Sequence, residues 1–264
     1  MASSSLELEC VILRAPAKLN IYLQAGQSRE DGYHDIMTRL GEHVGIKPNQ
    51  HFELIKAIPT EAGLGGGSAD AAAAIVGCNT QWQLGLGEDD LAAIGAQVGE
   101  DAPFFIKGMM AVGIGHRQPL QELKASTWTW HWVLGMPKAS LATKHVFAQF
   151  DALADGCFDE VQYKEKHATC LQIPWASAPP HELAGLLRND LEPAAAVLLP
   201  EIRSAIDAGQ EKGALASIMT GSGSTCAFLA RDEDHGGSLA VALRETGLFR
   251  KVITTTGPVS GIEL

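Results

Sequence analysis

Apolar and polar residues alternate through Lys18-Leu19-Asn20-Ile21-Tyr22-Leu23. A period of two predicts a strand with Leu19, Ile21 and Leu23 on a buried face and Lys18 and Asn20 together on the other. Taken alone, that polar face reads as solvated. Phe52-Glu53-Leu54-Ile55 predicts a second, short strand. From Ser68 to Trp82 an alanine-rich run predicts a helix with a small face suited to close packing on a sheet. Another helix starts near Glu88, with Leu91, Ile94 and Val98 on one side, and stops at Gly99. Strict alternation returns at Trp128-Thr129-Trp130-His131-Trp132-Val133-Leu134, placing three tryptophans on one face of a core strand. The composition shifts here, so the boundary between two domains is set at residues 1–125 and 126–264. Helical spacing covers Leu141 to Ala154, Leu183 to Ala196 and Pro200 to Ala208, and Ala176 to Pro180 reads as a loop. Strands are expected at Cys226–Leu229 and Val252–Thr256.

The stretch Pro59-Thr60-Glu61-Ala62-Gly63-Leu64-Gly65-Gly66-Gly67-Ser68-Ala69 interrupts this pattern. Four glycines within five positions, Gly63 to Gly67, permit positive φ and close approach of a ligand to the backbone. Ser68 is read as the helix N-cap and Asp70 as a first-turn carboxylate. Free N–H groups at such a loop and helix start form an anion site, which favours phosphate binding over a plain capped turn. No Lys follows the glycines, as a P-loop requires, and Ser68 stands where a dinucleotide fingerprint needs its third glycine. A second glycine–serine loop, Met219-Thr220-Gly221-Ser222-Gly223-Ser224-Thr225, is not a G-x-S-x-G nucleophile elbow. Asp101 lies at the end of one helix, just before Pro103, a position equally suited to a cap and to a functional carboxylate.

Net charge narrows the partners. At −11 over 264 residues, the chain is unsuited to a sequence-independent grip on nucleic acid or an anionic membrane, while a small anionic ligand remains open. Five scattered cysteines, Cys10, Cys78, Cys157, Cys170 and Cys226, form no C-x-x-C pair and read as reduced thiols of a cytoplasmic protein. No secretory signal and no membrane-length apolar stretch is visible.

Several ordered stretches together resemble the GHMP small-molecule kinases. They are Ala15-Pro16-Ala17-Lys18-Leu19-Asn20, Asp31-Gly32-Tyr33-His34, Gly63 to Ala72, Gly99-Glu100-Asp101-Ala102-Pro103-Phe104, Arg188-Asn189-Asp190-Leu191-Glu192 and Gly221 to Cys226. Asp-Gly-Tyr-His with Gly-x-Asp-x-Pro-Phe is most similar to the branch acting on a cytidine-diphosphate-linked methylerythritol in the non-mevalonate isoprenoid route. The resemblance implies an α+β chain with a ribosomal-protein-S5-like N-terminal domain, a ferredoxin-like C-terminal domain and an active site in the cleft between them. It implies ATP with Mg2+, a small cytidine-nucleotide substrate and a monomer or weak homodimer, with no protein metal ligands assigned. Lys18 and Asp101 match the catalytic pair, and Pro59 to Ala69 match the ATP-phosphate loop. Asn20, Tyr33, His34 and Phe147 match positions around the cytidine end. A homoserine or mevalonate kinase, an inactive nucleotide-binding protein and a dinucleotide oxidoreductase are the rival readings. Two departures stand out: the family carries a longer segment between His34 and the glycine loop, and Gly113-Ile114-Gly115-His116 stands where it has Gly-x-Gly-Glu.

Overall fold

The computed structural model describes residues 11–23, 45, 53–60, 62–113, 120–153 and 172–264. In chain order these form β1 (Tyr22–Leu23), α1 (Gly66–Gln81), α2 (Glu88–Val98), α3 (Ala102–Lys107), β2 (Ala111–Val112), β3 (Gln121–Glu122), β4 (Trp130–Pro137) and α4 (Thr143–Leu153). A 3₁₀ turn at Trp175–Ser177 leads to α5 (Pro180–Ala184), β5 (Arg188–Asn189), α6 (Glu192–Leu198), α7 (Glu201–Glu211), β6 (Ala216–Met219), β7 (Cys226–Ala230), α8 (Glu233–Glu245) and β8 (Phe249–Gly257).

The largest sheet has the order β6-β7-β4-β8, antiparallel throughout. Its two central strands are covered on both faces, which is why Cys226-Ala227-Phe228-Leu229-Ala230 is apolar at every position. Val133, Cys226 and Phe228 face a core shared with Ile202 and Ile206 of α7 and Leu239 and Leu243 of α8. Trp130, Trp132, Leu134, Ala227 and Leu229 face a second core that holds Ala62 and Leu64 of the first glycine loop, with Leu19 and Ile21 packed against it. A third core joins α1, α2 and α3 through Ile75, Leu91, Ile94 and Phe105.

Several expected elements change shape for identifiable reasons. The strand expected over Lys18–Leu23 contracts to Tyr22–Leu23, because two earlier backbone donors are engaged elsewhere: Lys18 N–H by Leu64 O at 2.9 Å and Asn20 N–H by Thr220 Oγ1 at 2.9 Å. Residues 53–57 carry no strand, and Leu54 and Ile55 are exposed. Trp128 precedes β4 and is 44% exposed, so two of the three tryptophans enter the core. The helix expected over Leu183–Ala196 is broken by β5, which pairs in parallel with β1 in the register Tyr22↔Arg188 and Leu23↔Asn189. The stretch expected as a loop at Ala176–Pro180 holds the end of the 3₁₀ turn and the start of α5. Helix α2 occupies its expected span, ending at Gly99. Cys78 and Cys226 are buried free thiols, and burial pushes the Cys78 thiol up to about 11.

Helix α7 approaches the sheet at Gly209, where an added Cβ would lie 2.2 Å from the Phe228 ring and 2.4 Å from Ser217 Oγ. Gly209→Ala is expected to cost roughly 1–3 kcal/mol, the usual cost of overpacking a filled core. Urea unfolding followed by circular dichroism checks it, with the midpoint shifted down and the slope unchanged.

Candidate active site

The first glycine loop is held by a contact that only glycine allows. Gly63 has φ +72°, and a Cβ there would lie 2.3 Å from Thr220 O and 2.9 Å from Gly223 O. Across the same contact Gly221 has φ +59°, and its Cβ would sit 2.8 Å from Gly63 O. The two glycine loops, far apart in sequence, therefore meet backbone to backbone. Ala62 and Leu64 anchor the first loop by burying their side chains, so this stretch offers a ligand mainly its backbone.

Helix α1 starts at Gly66, earlier than the expected start at Ser68, and the residue before it is Gly65 at φ +68°. Ser68 therefore lies inside the first turn, without serving as the cap, and Asp70 lies beyond that turn, paired with Lys56. The positive φ of Gly65 turns the chain directly into the helix, and its missing Cβ makes room for the Phe105 ring, which would otherwise lie 2.7 Å away. The first helical hydrogen bond runs from Ala69 N to Gly65 O at 2.9 Å. The N–H groups of Gly66, Gly67 and Ser68 precede it and have no helical acceptor by construction. A Cβ at Gly67 would meet no described atom within 4 Å. Open space at Gly67, with Lys56 Nζ close to Gly66, makes these helix-terminal amides an anion cradle.

Beside that cradle, Lys18 Nζ lies 2.5 Å from Asp101 Oδ2. The backbone of Lys18 is tied to the loop through Leu64 O, and Asp101 precedes α3, its carbonyl accepting Phe104 N–H at 3.1 Å. The lysine side chain is 15% exposed and the aspartate 41%. An ion pair this open contributes about 0–1 kcal/mol to stability, too little to account for the structure converging on it. What it offers is a partly exposed carboxylate held beside a largely buried ammonium: a base and a charge stabiliser next to an anion cradle.

The second glycine loop is braced from β5 and α6. Asn189 Nδ2 donates to Met219 O at 2.6 Å and Gly221 O at 2.8 Å, and its Oδ1 accepts Leu191 N–H at 3.0 Å. Glu192 Oε2 accepts Met219 N–H at 2.9 Å. Thr143 Oγ1 and Ser222 Oγ lie 2.9 Å apart, and Ser224 Oγ donates to Ala139 O at 2.7 Å. The sequence alone assigns these brace residues no role, although Arg188–Glu192, a polar cluster inside a stretch of helical spacing, is among the stretches that carry the family resemblance.

The structure thus brings Lys18, Asp101 and residues 62–69 together, with the Asn20 backbone bonded to the second loop. Pro59 and Thr60 lead toward the first glycine loop. Phe147 is half-buried against the core that α6 and α7 share with the sheet. Tyr33, His34 and Glu61 lie outside the described residues. Among the described residues no group of three or more His, Cys, Asp or Glu is placed to hold a metal ion, and no helix is long and apolar enough to cross a membrane.

The chain matches the family model for the GHMP kinases N terminal domain over residues 33–109 and that for GHMP kinases C terminal over residues 179–247. It is 37% identical to a 4-diphosphocytidyl-2-C-methyl-D-erythritol kinase of Nocardia farcinica, over 95% of each chain. It is 36% identical to the enzyme of that name from Mycolicibacterium smegmatis, over 95% of this chain and 91% of the relative. The aligned span with the Nocardia protein, 295 residues, exceeds the 264 residues of this chain, so that relative carries internal residues absent here. Among solved structures, a crystal structure of 4-(cytidine 5'-diphospho)-2C-methyl-D-erythritol kinase superposes with a TM-score of 0.62 at 26% identity, covering 93% of this chain and 84% of the other. A homoserine kinase from Cytophaga hutchinsonii reaches 0.67 at 17% identity, covering 95% and 86%, a likeness of fold.

Burial raises the Glu192 carboxyl above its ordinary value of 4.5, the Met219 N–H bond opposing in part. An acid raised in the folded state takes up its proton on folding, so its contribution to stability is full at low pH and falls as pH rises above 4.5. Glu192→Gln keeps an acceptor oxygen and removes the charge. The variant is expected to gain stability relative to the unaltered chain as pH rises from about 4 to 7. Paired urea titrations across that range check the sign.

Proposed function

The chain belongs to the GHMP kinase family, and from that premise we propose that it transfers the γ-phosphoryl group of ATP to the 2-hydroxyl of 4-diphosphocytidyl-2-C-methyl-D-erythritol, in the non-mevalonate route to isoprenoid precursors. The observation that carries the reading is the Lys18–Asp101 pair standing beside the anion cradle of Gly63–Ser68. Relatives at 36–37% identity along nearly the whole chain bear the name of this kinase, which supports the choice of acceptor.

In the proposed reaction the ATP phosphates lie on the amides of Gly66, Gly67 and Ser68. Asp101 accepts the proton of the acceptor hydroxyl, whose oxygen bonds to the γ-phosphorus while the bond from that phosphorus to the β–γ bridging oxygen breaks and ADP departs. Lys18, paired with Asp101, stabilises negative charge on the group in transfer. Positioning and electrostatics suffice, because phosphoryl transfer leaves the protein little covalent chemistry. Mg2+ takes oxygen ligands and would be held by the phosphates, whose charge it would partly neutralise, with no protein ligand assigned to it. Asn20, Tyr33, His34 and Phe147 are assigned to the cytidine end. The boundary at residues 125 and 126 leaves α1–α3 in the ATP-binding domain and the four-stranded sheet in the second. Both glycine loops and the catalytic pair come from one chain, so a monomer or weak homodimer in the cytoplasm is enough.

The test is ADP release from ATP and Mg2+ with 4-diphosphocytidyl-2-C-methyl-D-erythritol, homoserine or mevalonate as acceptor. Release dependent on the cytidine substrate alone is expected; release with another acceptor, or with none, removes the reading. Asp101→Asn is expected to keep ATP binding while turnover falls at least about a hundredfold, the scale of a positioned acid–base group. Stopped assays on both proteins check this, and near-normal turnover in the variant takes Asp101 out of the mechanism. His34→Ala is expected to raise KM for the cytidine substrate far more than KM for ATP, as steady-state kinetics with each substrate varied would reveal.

A further inference from the structure

The geometry points to Asn189 as a positioning residue, which sets the ATP-phosphate loop through the second glycine loop. The inference rests on the proposal that Gly63–Ser68 binds ATP phosphates, and deepens it.

Asn189 sits at the end of β5, its backbone fixed by the parallel pairing with Leu23, and the residue is 8% exposed. Its side chain is fully used. The two hydrogens on Nδ2 go to Met219 O and Gly221 O, and Oδ1 takes the N–H of Leu191. The two carbonyls flank Thr220, whose own carbonyl is the atom nearest to where Gly63 would carry a Cβ and whose hydroxyl receives the Asn20 N–H. Gly221 faces Gly63 O in return. One planar amide therefore fixes the peptides on both sides of the point where the loops touch. The first loop has no side chain at Gly63, Gly65, Gly66 or Gly67 to set its own conformation. Its shape is imposed from outside, by the Lys18 N–H to Leu64 O bond on one side and by the Asn189-braced loop on the other.

The chemistry of the amide is specific. An aspartate at this position keeps the size and the acceptor for Leu191 but turns a carboxylate on two carbonyl oxygens with no hydrogen to share. Asn189→Asp should release the second loop, and the phosphate loop with it, without touching an atom that contacts ATP.

The experiment is calorimetric titration of the full chain with MgATP alone, comparing the unaltered protein with Asn189→Asp. Because no acceptor is present, the result is independent of which alcohol the enzyme phosphorylates. Fitted stoichiometry reports the folded, competent fraction, and Kd reports the site in those molecules, so a mere loss of folded protein leaves Kd unmoved. Asn189→Asp is expected to weaken ATP by at least about tenfold, the scale of one well-placed buried hydrogen bond. A Kd within about twofold of the unaltered value overturns the assignment. If the unaltered chain itself fails to bind MgATP, the ATP-loop reading fails, and this inference with it. Should the variant not fold, hydrogen exchange on the unaltered chain decides. ATP is expected to slow exchange in peptides covering 219–223 as well as 62–69, and protection confined to 62–69 overturns the inference.

Discussion

The site depends on a contact between two stretches of bare backbone. Gly63 and Thr220–Gly221 approach so closely that a side chain on either glycine would occupy space already taken by the other loop. Both glycines also hold positive φ, so the replacement that fits the space least is also strained at its own backbone. From that contact follow the path of the first loop, the direction in which α1 begins and the cradle over Gly66–Ser68. The Lys18–Asp101 pair is tied to the same place by the Lys18 N–H bond to Leu64 O.

Neighbouring layers hold the contact from both sides. The four-stranded sheet presents Trp130, Trp132 and Leu134 to a core that takes in Ala62 and Leu64, so the first loop is fastened by its apolar residues while its glycines stay open to a ligand. Helix α3 brings the Phe105 ring under Gly65 and begins directly after Asp101. The brace from Asn189 and Glu192 fastens the second loop to the end of β6. The rigid parts are apolar and the open part is backbone amide, with the Lys18 and Lys56 ammonium groups close by to supply local positive charge. This reconciles a net charge of −11 with a phosphate site.

What was legible in the residues was local. The glycine run followed by alanines announced a loop entering a helix, and the periodic Leu91, Ile94 and Val98 placed α2 within its observed bounds. Lys18 and Asp101 became a pair only through resemblance to a family; the polar side of an alternating strand and a turn aspartate do not announce each other across 83 residues. Two of the misread elements share one cause, a tertiary hydrogen bond overriding a local pattern. Residues 18–21 alternate as a strand should, but Lys18 and Asn20 give their N–H groups to the two loops. Leu183–Ala196 has helical spacing, but β1 draws Arg188 and Asn189 into a strand pair. Ser68 is a good cap by type, yet the positive φ of Gly65 starts the helix before it. Tyr33 and His34 carry the specificity reading from sequence alone, since both lie outside the described residues.

The most direct measurement is a crystal structure of the chain with ADP, Mg2+ and 4-diphosphocytidyl-2-C-methyl-D-erythritol bound together. The β-phosphate is expected on the amides of Gly66–Ser68, and the 2-hydroxyl within hydrogen-bond distance of an Asp101 carboxylate oxygen and directed toward the site of the γ-phosphate. Phosphates bound away from those amides, or an acceptor hydroxyl out of reach of Asp101 with both ligands in place, would contradict it.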